Sequence, residues 1–406
     1  MPLIRGLIYV GGVGGSRLLL ILLGAIIANI FGESEYASYV LFLTLSNIVT
    51  SFSLMGVVPR ILSLAVGDER ALAAGLLRGS IANFMVALAI VIFAYLFDIG
   101  FSKAFLDDSG LALISIVLYS FGFVFISLLS ALWNQGRRHH LAGGLWLFTS
   151  VFAFCVAGGI ALFGVDNYSS IIFSTVWAVC GVCAGLNLYL LGFFGANAES
   201  FSISAKRLAS AMLGTMYSGL FGLPFLIVFF WLGVSLNAEI QIIDKSAFFL
   251  GFQLFAIATF LPGVLGGVFV PKFAQETGAA KIKMIKSLSL VYAAIGGGWV
   301  LLVWFALPVL FKFYGVSHTN YTVYIVILWQ VAGAIAALGA IQNQLLVSRG
   351  KYSFLLFGGG VWAVLATAVP MLVQDKMLGA VFGVLVAYIA LQLIYWSENR
   401  KRNAEL

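Results

Sequence analysis

The sequence predicts an all-α polytopic membrane protein of about twelve transmembrane helices, in two six-helix lobes related by a pseudo-twofold along the membrane normal. Three observations carry this. Only 9% of the 406 residues are charged and 62% are hydrophobic, against about 25% charged in soluble domains; a water-soluble core cannot absorb that much apolar surface. Apolar runs of spanning length recur from one end of the chain to the other. A short motif also returns about half a chain later, at the matching point of a matching run.

The runs are placed at 7–31, 36–58, 77–97, 110–133, 141–164, 169–195, 209–234, 247–270, 288–311, 321–347, 352–374 and 377–397. Each is long enough, at 1.5 Å per residue, to cross a core of about 30 Å with some tilt. None alternates as a barrel strand does, so the spans are helices. The first run is read as a retained span, because no small-residue cleavage site follows a short apolar core. The longest cytoplasmic connections, 59–76 and 271–287, mix apolar and basic residues and are expected as interfacial helices.

Charge sets the orientation. With the N-terminus in the cytoplasm, seventeen of the 22 Lys and Arg fall on the cytoplasmic side, and only Lys103, Lys245, Lys312 and Lys376 fall outside. Arg17 belongs to neither set. Both termini are then cytoplasmic, in a bacterial inner membrane. The net charge of +7 reflects this topology and suits anionic lipids; no nucleic-acid partner is implied. His139-His140 reads as a polar turn. Cys155, Cys180 and Cys183 lie within spans and read as packing residues, with no disulfide framework and no metal site.

The repeat is Val58-Pro59-Arg60 at the end of the second run and Val270-Pro271-Lys272 at the end of the eighth, 212 residues apart. Six spans and six spans in the same orientation imply two parallel lobes, placed at 1–200 and 201–406.

Function centres on Gly11-Gly12-Val13-Gly14-Gly15-Ser16-Arg17. The run Leu18 to Phe31 is too short to span alone, so the helix starts before the glycines and Arg17 lies near mid-depth. A central arginine costs about 2.5–3.5 kcal/mol on insertion scales, and no Asp or Glu lies deep in any span to pair with it. A cation without a protein partner suits an anionic substrate, and the guanidinium fork suits phosphate. Gly11 and Gly15 have the G-x-x-x-G spacing of close helix packing, and the glycine-rich stretch also softens the helix. Pro224 is expected to kink the seventh span, the repeat partner of the first. The triplets Gly296-Gly297-Gly298 and Gly358-Gly359-Gly360 read as tight packing. Polar residues within spans form a palette for a sugar: Tyr9, Ser16, Asn47, Asn83, Asn187, Tyr217, Gln253, Gln330, Gln342 and Asn343. Asn47 and Gln253 stand out because they occupy the spans carrying the repeat. A nucleotide-binding loop is excluded, since no Lys-Ser/Thr follows the glycines and no strand precedes them.

With Arg5-Gly6-Leu7, Gly15-Ser16-Arg17, Phe31-Gly32-Glu33-Ser34-Glu35-Tyr36-Ala37-Ser38-Tyr39, Phe252-Gln253, Phe260-Leu261-Pro262 and Val270-Pro271-Lys272-Phe273, the chain resembles the polysaccharide flippases of the MOP superfamily (multidrug/oligosaccharidyl-lipid/polysaccharide exporters), in particular the Wzx-type O-antigen flippases. The resemblance implies alternating access between two lobes. The cargo it implies is an undecaprenyl-pyrophosphate-linked oligosaccharide moved from the cytoplasmic to the periplasmic leaflet. Membrane lipids and other polysaccharide-assembly proteins are the implied partners. Arg17 matches the family's first-span basic residue, expected to meet the pyrophosphate. No cofactor is implied beyond a coupling ion, Na+ or H+, and the lack of a deep acid speaks against a membrane carboxylate as proton carrier. In the second lobe the cation nearest a span interior is Lys312, at the outer end of the ninth run. Two alternatives stand beside this reading. A MATE-like drug or cation exporter of the same superfamily would benefit from a buried acid, which this chain lacks. A membrane polysaccharide polymerase or ligase would need catalytic groups in outer loops; the loops are short, and His318 is the only outer histidine.

Overall fold

The structure, a computed structural model, describes residues 2–54, 57–58, 61, 70–99, 105, 109–135, 138–163, 169–193, 223–238, 244–275, 278–349 and 351–403. Twelve helices account for most of these: α1 Pro2–Phe31, α2 Glu33–Leu54, α3 Arg70–Leu96, α4 Ser109–Gln135, α5 His139–Leu162, α6 Ser169–Leu190, α7 Leu223–Ala238, α8 Lys245–Gln275, α9 Gly278–Tyr314, α10 Asn320–Ser348, α11 Tyr352–Leu372 and α12 Lys376–Asn403. Ten are long and apolar enough to cross a membrane, and α7 and α8 carry shorter apolar stretches, Leu223–Ala238 and Lys245–Phe260. In lipid every backbone N–H and C=O must be satisfied within its own segment, which helices achieve unaided. The chain is a multi-pass membrane protein.

It divides into two compact units, Met1–Leu226 and Ile227–Leu406. The expected boundary at 200/201 lies outside the described residues. Helix starts repeat between the halves. α2 begins at Glu33 and α8 at Lys245, 212 residues on; α4 at Ser109 and α10 at Asn320, 211 on; α5 at His139 and α11 at Tyr352, 213 on. The corresponding helices α3 and α9 each bury only 22% of their most apolar window. Large side chains such as Met85, Phe93, Leu301 and Phe305 stand exposed on them, as lipid-facing residues do.

In the first unit α1 packs along α5, and α4 along α6. Both seams need glycine. A Cβ on Gly12 would sit 2.3 Å from the Gly143 carbonyl oxygen, and one on Gly122 would sit 2.1 Å from that of Trp177. The close approach of α1 is therefore made by Gly12. Nothing lies within 4 Å of a Cβ on Gly11, which corrects the packing role read for it from the G-x-x-x-G spacing, whereas a Cβ on Gly15 would sit 3.1 Å from the Leu147 side chain of α5, so Gly15 does face that seam. The glycine triplets behave similarly. Gly296 abuts Ala334 and Gly358 abuts Tyr395, whereas Gly297, Gly298 and Gly360 meet nothing within 4 Å.

In the second unit the main seams are α8 with α10 and α11 with α12. Phe229, Phe252, Phe255 and Trp329 form an aromatic core with ring centroids 4.9–6.4 Å apart. At one end of this unit Asp244, just before α8, accepts from the Ser317 N–H (2.9 Å) and hydroxyl. There too the Tyr321 hydroxyl donates to Asp375 (2.8 Å), which also receives the Leu378 N–H at the start of α12. At the other end the Lys281 ammonium donates to the Phe273 carbonyl and Arg349 donates to Asn399, both at 2.8 Å. The starts of α8, α10 and α12 thus share an end carrying Asp244 and Asp375 together with Lys245, Lys312 and Lys376. Their far ends share one carrying Lys281, Arg349 and Arg400.

Two expectations about connections change. The segment 271–287 is not a separate interfacial helix, since Lys281, Lys283 and Lys286 belong to the first turns of α9, 37 residues long. At 1.5 Å per residue such a helix runs about 56 Å, well beyond a core of about 30 Å, so its basic turns project past the apolar zone. Pro271 likewise lies inside α8, which continues to Gln275. Pro59, Arg60 and most of 59–69 lie outside the described residues, and 70–76 opens α3.

Candidate substrate site

Arg17 stands at the middle of the thirty-residue α1. Around the helix, Ser16, Leu20, Leu23 and Ile27 form the buried stripe, and Gly11, Leu18 and Leu22 the exposed one. At about 100° per residue, Arg17 falls on the flank between the two and is half-buried. The Tyr39 hydroxyl donates to the Leu20 carbonyl at 2.9 Å and pins α2 to α1 one turn from the arginine. Phe42, one turn further along α2, packs on Tyr119 of α4 with centroids 5.7 Å apart, and the Arg17 charge acts electrostatically on Tyr119. Tyr119 in turn lies against Phe173 (5.8 Å) and Trp177 (5.0 Å), with Phe123 and Trp146 completing the wall. The wall's indole of Trp146 is satisfied by Ser130 at 3.2 Å.

The Arg17 charge thus reaches Tyr119, which belongs to this aromatic cluster. Among the described residues no carboxylate pairs with it. Glu33, Glu35, Asp98, Asp244, Asp375 and Glu398 all stand at or near helix ends. An arginine at the centre of a spanning helix costs about 2.5–3.5 kcal/mol on insertion scales, and an incoming anion would offset that cost.

Ser16, Arg17, Asn47 and Asn83 all lie in the first unit, on α1, α2 and α3, and α2 packs on both neighbours. Ser16 is buried, and its hydroxyl donates to the Val13 carbonyl at 2.6 Å, a bond within its own helix. Asn47 and Asn83 are half-buried, and neither hydrogen-bonds the other or Arg17 among the described residues. Gln253 is buried on α8 in the second unit. Pro224 is the second residue of the described part of α7, Leu223–Ala238, and residues 194–222 before it lie outside the described residues. Lys312 is exposed in the last turn of α9.

Three other polar residues of the palette, Gln330, Asn187 and Gln342, bond within the protein, whereas the Asn343 Oδ1 is buried with no hydrogen-bond partner among the described residues. Gln330 donates to the Gly251 carbonyl (3.2 Å) and accepts from Trp299 (2.9 Å), locking α8, α9 and α10 together. Asn187 bonds Cys183 of its own helix, and Gln342 accepts from Asn399. Tyr217 and the side chain of Tyr9 lie outside the described residues. Sequence reasoning missed the aromatic wall and Tyr119. Its one signal is the i, i+4 spacing of Tyr119 with Phe123 and of Phe173 with Trp177, which any buried helix also shows.

The fold is that of the membrane transporters of the MOP superfamily. Specifically, a crystal structure of a MATE protein in complex superposes with a TM-score of 0.69 at 12% identity, over 100% of this chain and 96% of that one. A multidrug resistance MATE family transporter of the MOP superfamily matches in its outward-facing conformation (TM-score 0.62, 13% identity, 100% and 96% coverage) and in its inward-facing one (0.62, 13%, 96% and 95%). A MOP superfamily transporter from Pyrococcus furiosus, described as having a binding pocket of reversed polarity and a different function, matches with a TM-score of 0.63 at 13% identity over 99% and 95%. No protein-family model and no curated protein matches the sequence.

Proposed function

We propose that this chain is a MOP-superfamily flippase for an anionic lipid-linked glycan. Its cargo on this reading is an undecaprenyl-pyrophosphate-linked oligosaccharide, passed from the cytoplasmic to the periplasmic leaflet of a bacterial inner membrane by alternating access. The observation that carries the proposal is the sign of the interior charge. Arg17 is a permanent cation at the centre of α1, with no carboxylate partner among the described residues. In this scheme Arg17 holds the pyrophosphate through its fork, and Asn47 and Asn83 offer amides to the first sugars. Gly11, Gly15 and Pro224 allow α1 and α7 to bend. Fold relatives in both outward- and inward-facing conformations support alternating access.

A second reading, a MATE-like exporter of drugs or cations, draws on the multidrug transporters that share the fold. The two readings need opposite interior charges, and a fold relative described as having reversed pocket polarity supports using that sign to separate them. The deciding experiment deletes the gene and analyses lipid-linked intermediates. The flippase reading expects an undecaprenyl-linked repeat unit to accumulate on the cytoplasmic side. Normal surface glycan with altered drug tolerance overturns it in favour of the exporter.

A further inference from the structure

Arg17 lies where α1 changes the way it is held. From Leu20 onward the helix is keyed into its neighbours by side chains, with Leu20, Leu23, Ala25, Ile27 and Ala28 all buried. Over residues 11–16 the buried positions are Gly12 and Ser16. Gly12 meets Gly143 of α5 backbone to backbone, and the Ser16 hydroxyl turns back to Val13 of its own helix. Two facing glycines allow a close approach but put no side chain into a hole. They set the distance between the helices and not the rotation of α1 about its axis. Rotation matters here. Arg17 stands on the flank between the buried and the exposed stripe, and each residue turns the helix by about 100°. A fraction of that turn would carry the guanidinium into one stripe or the other.

A polar tie from a neighbouring helix falls just past the arginine. The Tyr39 hydroxyl of α2 donates to the Leu20 carbonyl at 2.9 Å, three residues on from Arg17 and less than one turn away. Tyr39 is 1% exposed, and its ring packs with Phe42 at 6.2 Å between centroids. Packing explains an aromatic ring at this position. It does not explain the hydroxyl, which is costly to bury unless it is bonded and which phenylalanine would omit. The Leu20 carbonyl lies inside α1 and already has its own helix bond, so the tie is not needed to satisfy it. What a hydrogen bond adds to apolar packing is direction, and this one fixes how the carbonyls of α1 are turned towards α2.

We propose that Tyr39 is a positioning residue for the cargo site, its bond to the Leu20 carbonyl fixing the rotation of α1 that presents Arg17 to an anionic cargo. The inference rests on the reading of Arg17 as the anion-binding group, and Tyr39 acts only through it. Without the tie, α1 populates rotations in which Arg17 is misaimed, and apparent affinity falls with the competent fraction. The fall cannot exceed the worth of the bond, which for interhelical bonds in membranes corresponds to about three- to twentyfold.

The test uses the purified full-length protein in detergent and undecaprenyl pyrophosphate as the probe, with affinity read by isothermal titration calorimetry. Tyr39→Phe keeps the ring and removes the hydroxyl. It is expected to weaken binding about three- to twentyfold, against about ten- to a hundredfold for Arg17→Ala, and to add no further loss in the Arg17→Ala background. Tyr395→Phe controls for mere loosening. Tyr395 is also buried, and its hydroxyl donates to the Leu355 carbonyl at 2.9 Å, tying α12 to α11 in the second unit. Its loss is expected to lower the melting temperature as Tyr39→Phe does and to leave affinity unchanged. Wild-type affinity in Tyr39→Phe overturns the proposal, as does an equal loss in Tyr395→Phe or a Tyr39→Phe loss that persists in full without Arg17. Unchanged affinity in Arg17→Ala, or no binding by wild type, overturns the cargo reading itself and this proposal with it.

Discussion

Arg17 and the glycines before it give the sharpest residue-level expectations. A hydrogen bond to a charged group is worth about 1.5–3 kcal/mol, so Arg17→Ala should lower glycan export by about ten- to a hundredfold while the protein still inserts. Arg17→Lys, which keeps the charge and loses the fork, should fall between; export assays in the deletion strain read both. The glycines separate packing from bending. Gly12→Val must displace the Gly143 backbone, 2.3 Å from the added Cβ, and should cost about 1–3 kcal/mol in thermal unfolding. Gly11→Ala has open space and a better helix former, and should leave stability unchanged or raise it by up to about 1 kcal/mol. If α1 bends in the transport cycle, Gly11→Ala slows export without loss of stability. The central cation was legible in the sequence because one arginine in an apolar run has few explanations and the run length sets its depth. Which glycine makes the contact was not legible, because a four-residue spacing names a helix face without saying which face meets α5.

At the scale of elements, helix ends were legible because lipid thickness and charge placement terminate the runs. The expected 110–133 and 321–347 became Ser109–Gln135 and Asn320–Ser348. The start of α9 was not, because lysines at 281, 283 and 286 fit an interfacial helix and the projecting turns of a long spanning helix equally well. Seams between helices depended on partners that sequence alone does not pair. Gln330 reads as a polar group free to face a cavity, yet it bridges Gly251 and Trp299. Interhelical hydrogen bonds in membranes average about 0.6 kcal/mol and reach about 1.7. Gln330→Leu should therefore destabilise the second unit by an amount in that range, read by thermal unfolding in detergent, with export affected only through protein level.

At the scale of the whole molecule, three of the six pairs of corresponding helices start 211–213 residues apart and two more start 207–208 apart, a repeat of one helix order in the two halves. In a background lacking Cys155, Cys180 and Cys183, cysteine placed at His318 should react with a membrane-impermeant maleimide added outside, and cysteine placed at Lys351 only after permeabilisation. The opposite pattern inverts the topology. The central claim is that a cation in the heart of α1 selects an anionic lipid-linked cargo. It is tested most directly by reconstituting wild type and Arg17→Ala in proteoliposomes and measuring leaflet-to-leaflet transfer of an undecaprenyl-pyrophosphate-linked oligosaccharide. The account predicts transfer by wild type, competition by excess undecaprenyl pyrophosphate, and loss in Arg17→Ala. Wild-type rates of transfer by Arg17→Ala would contradict it.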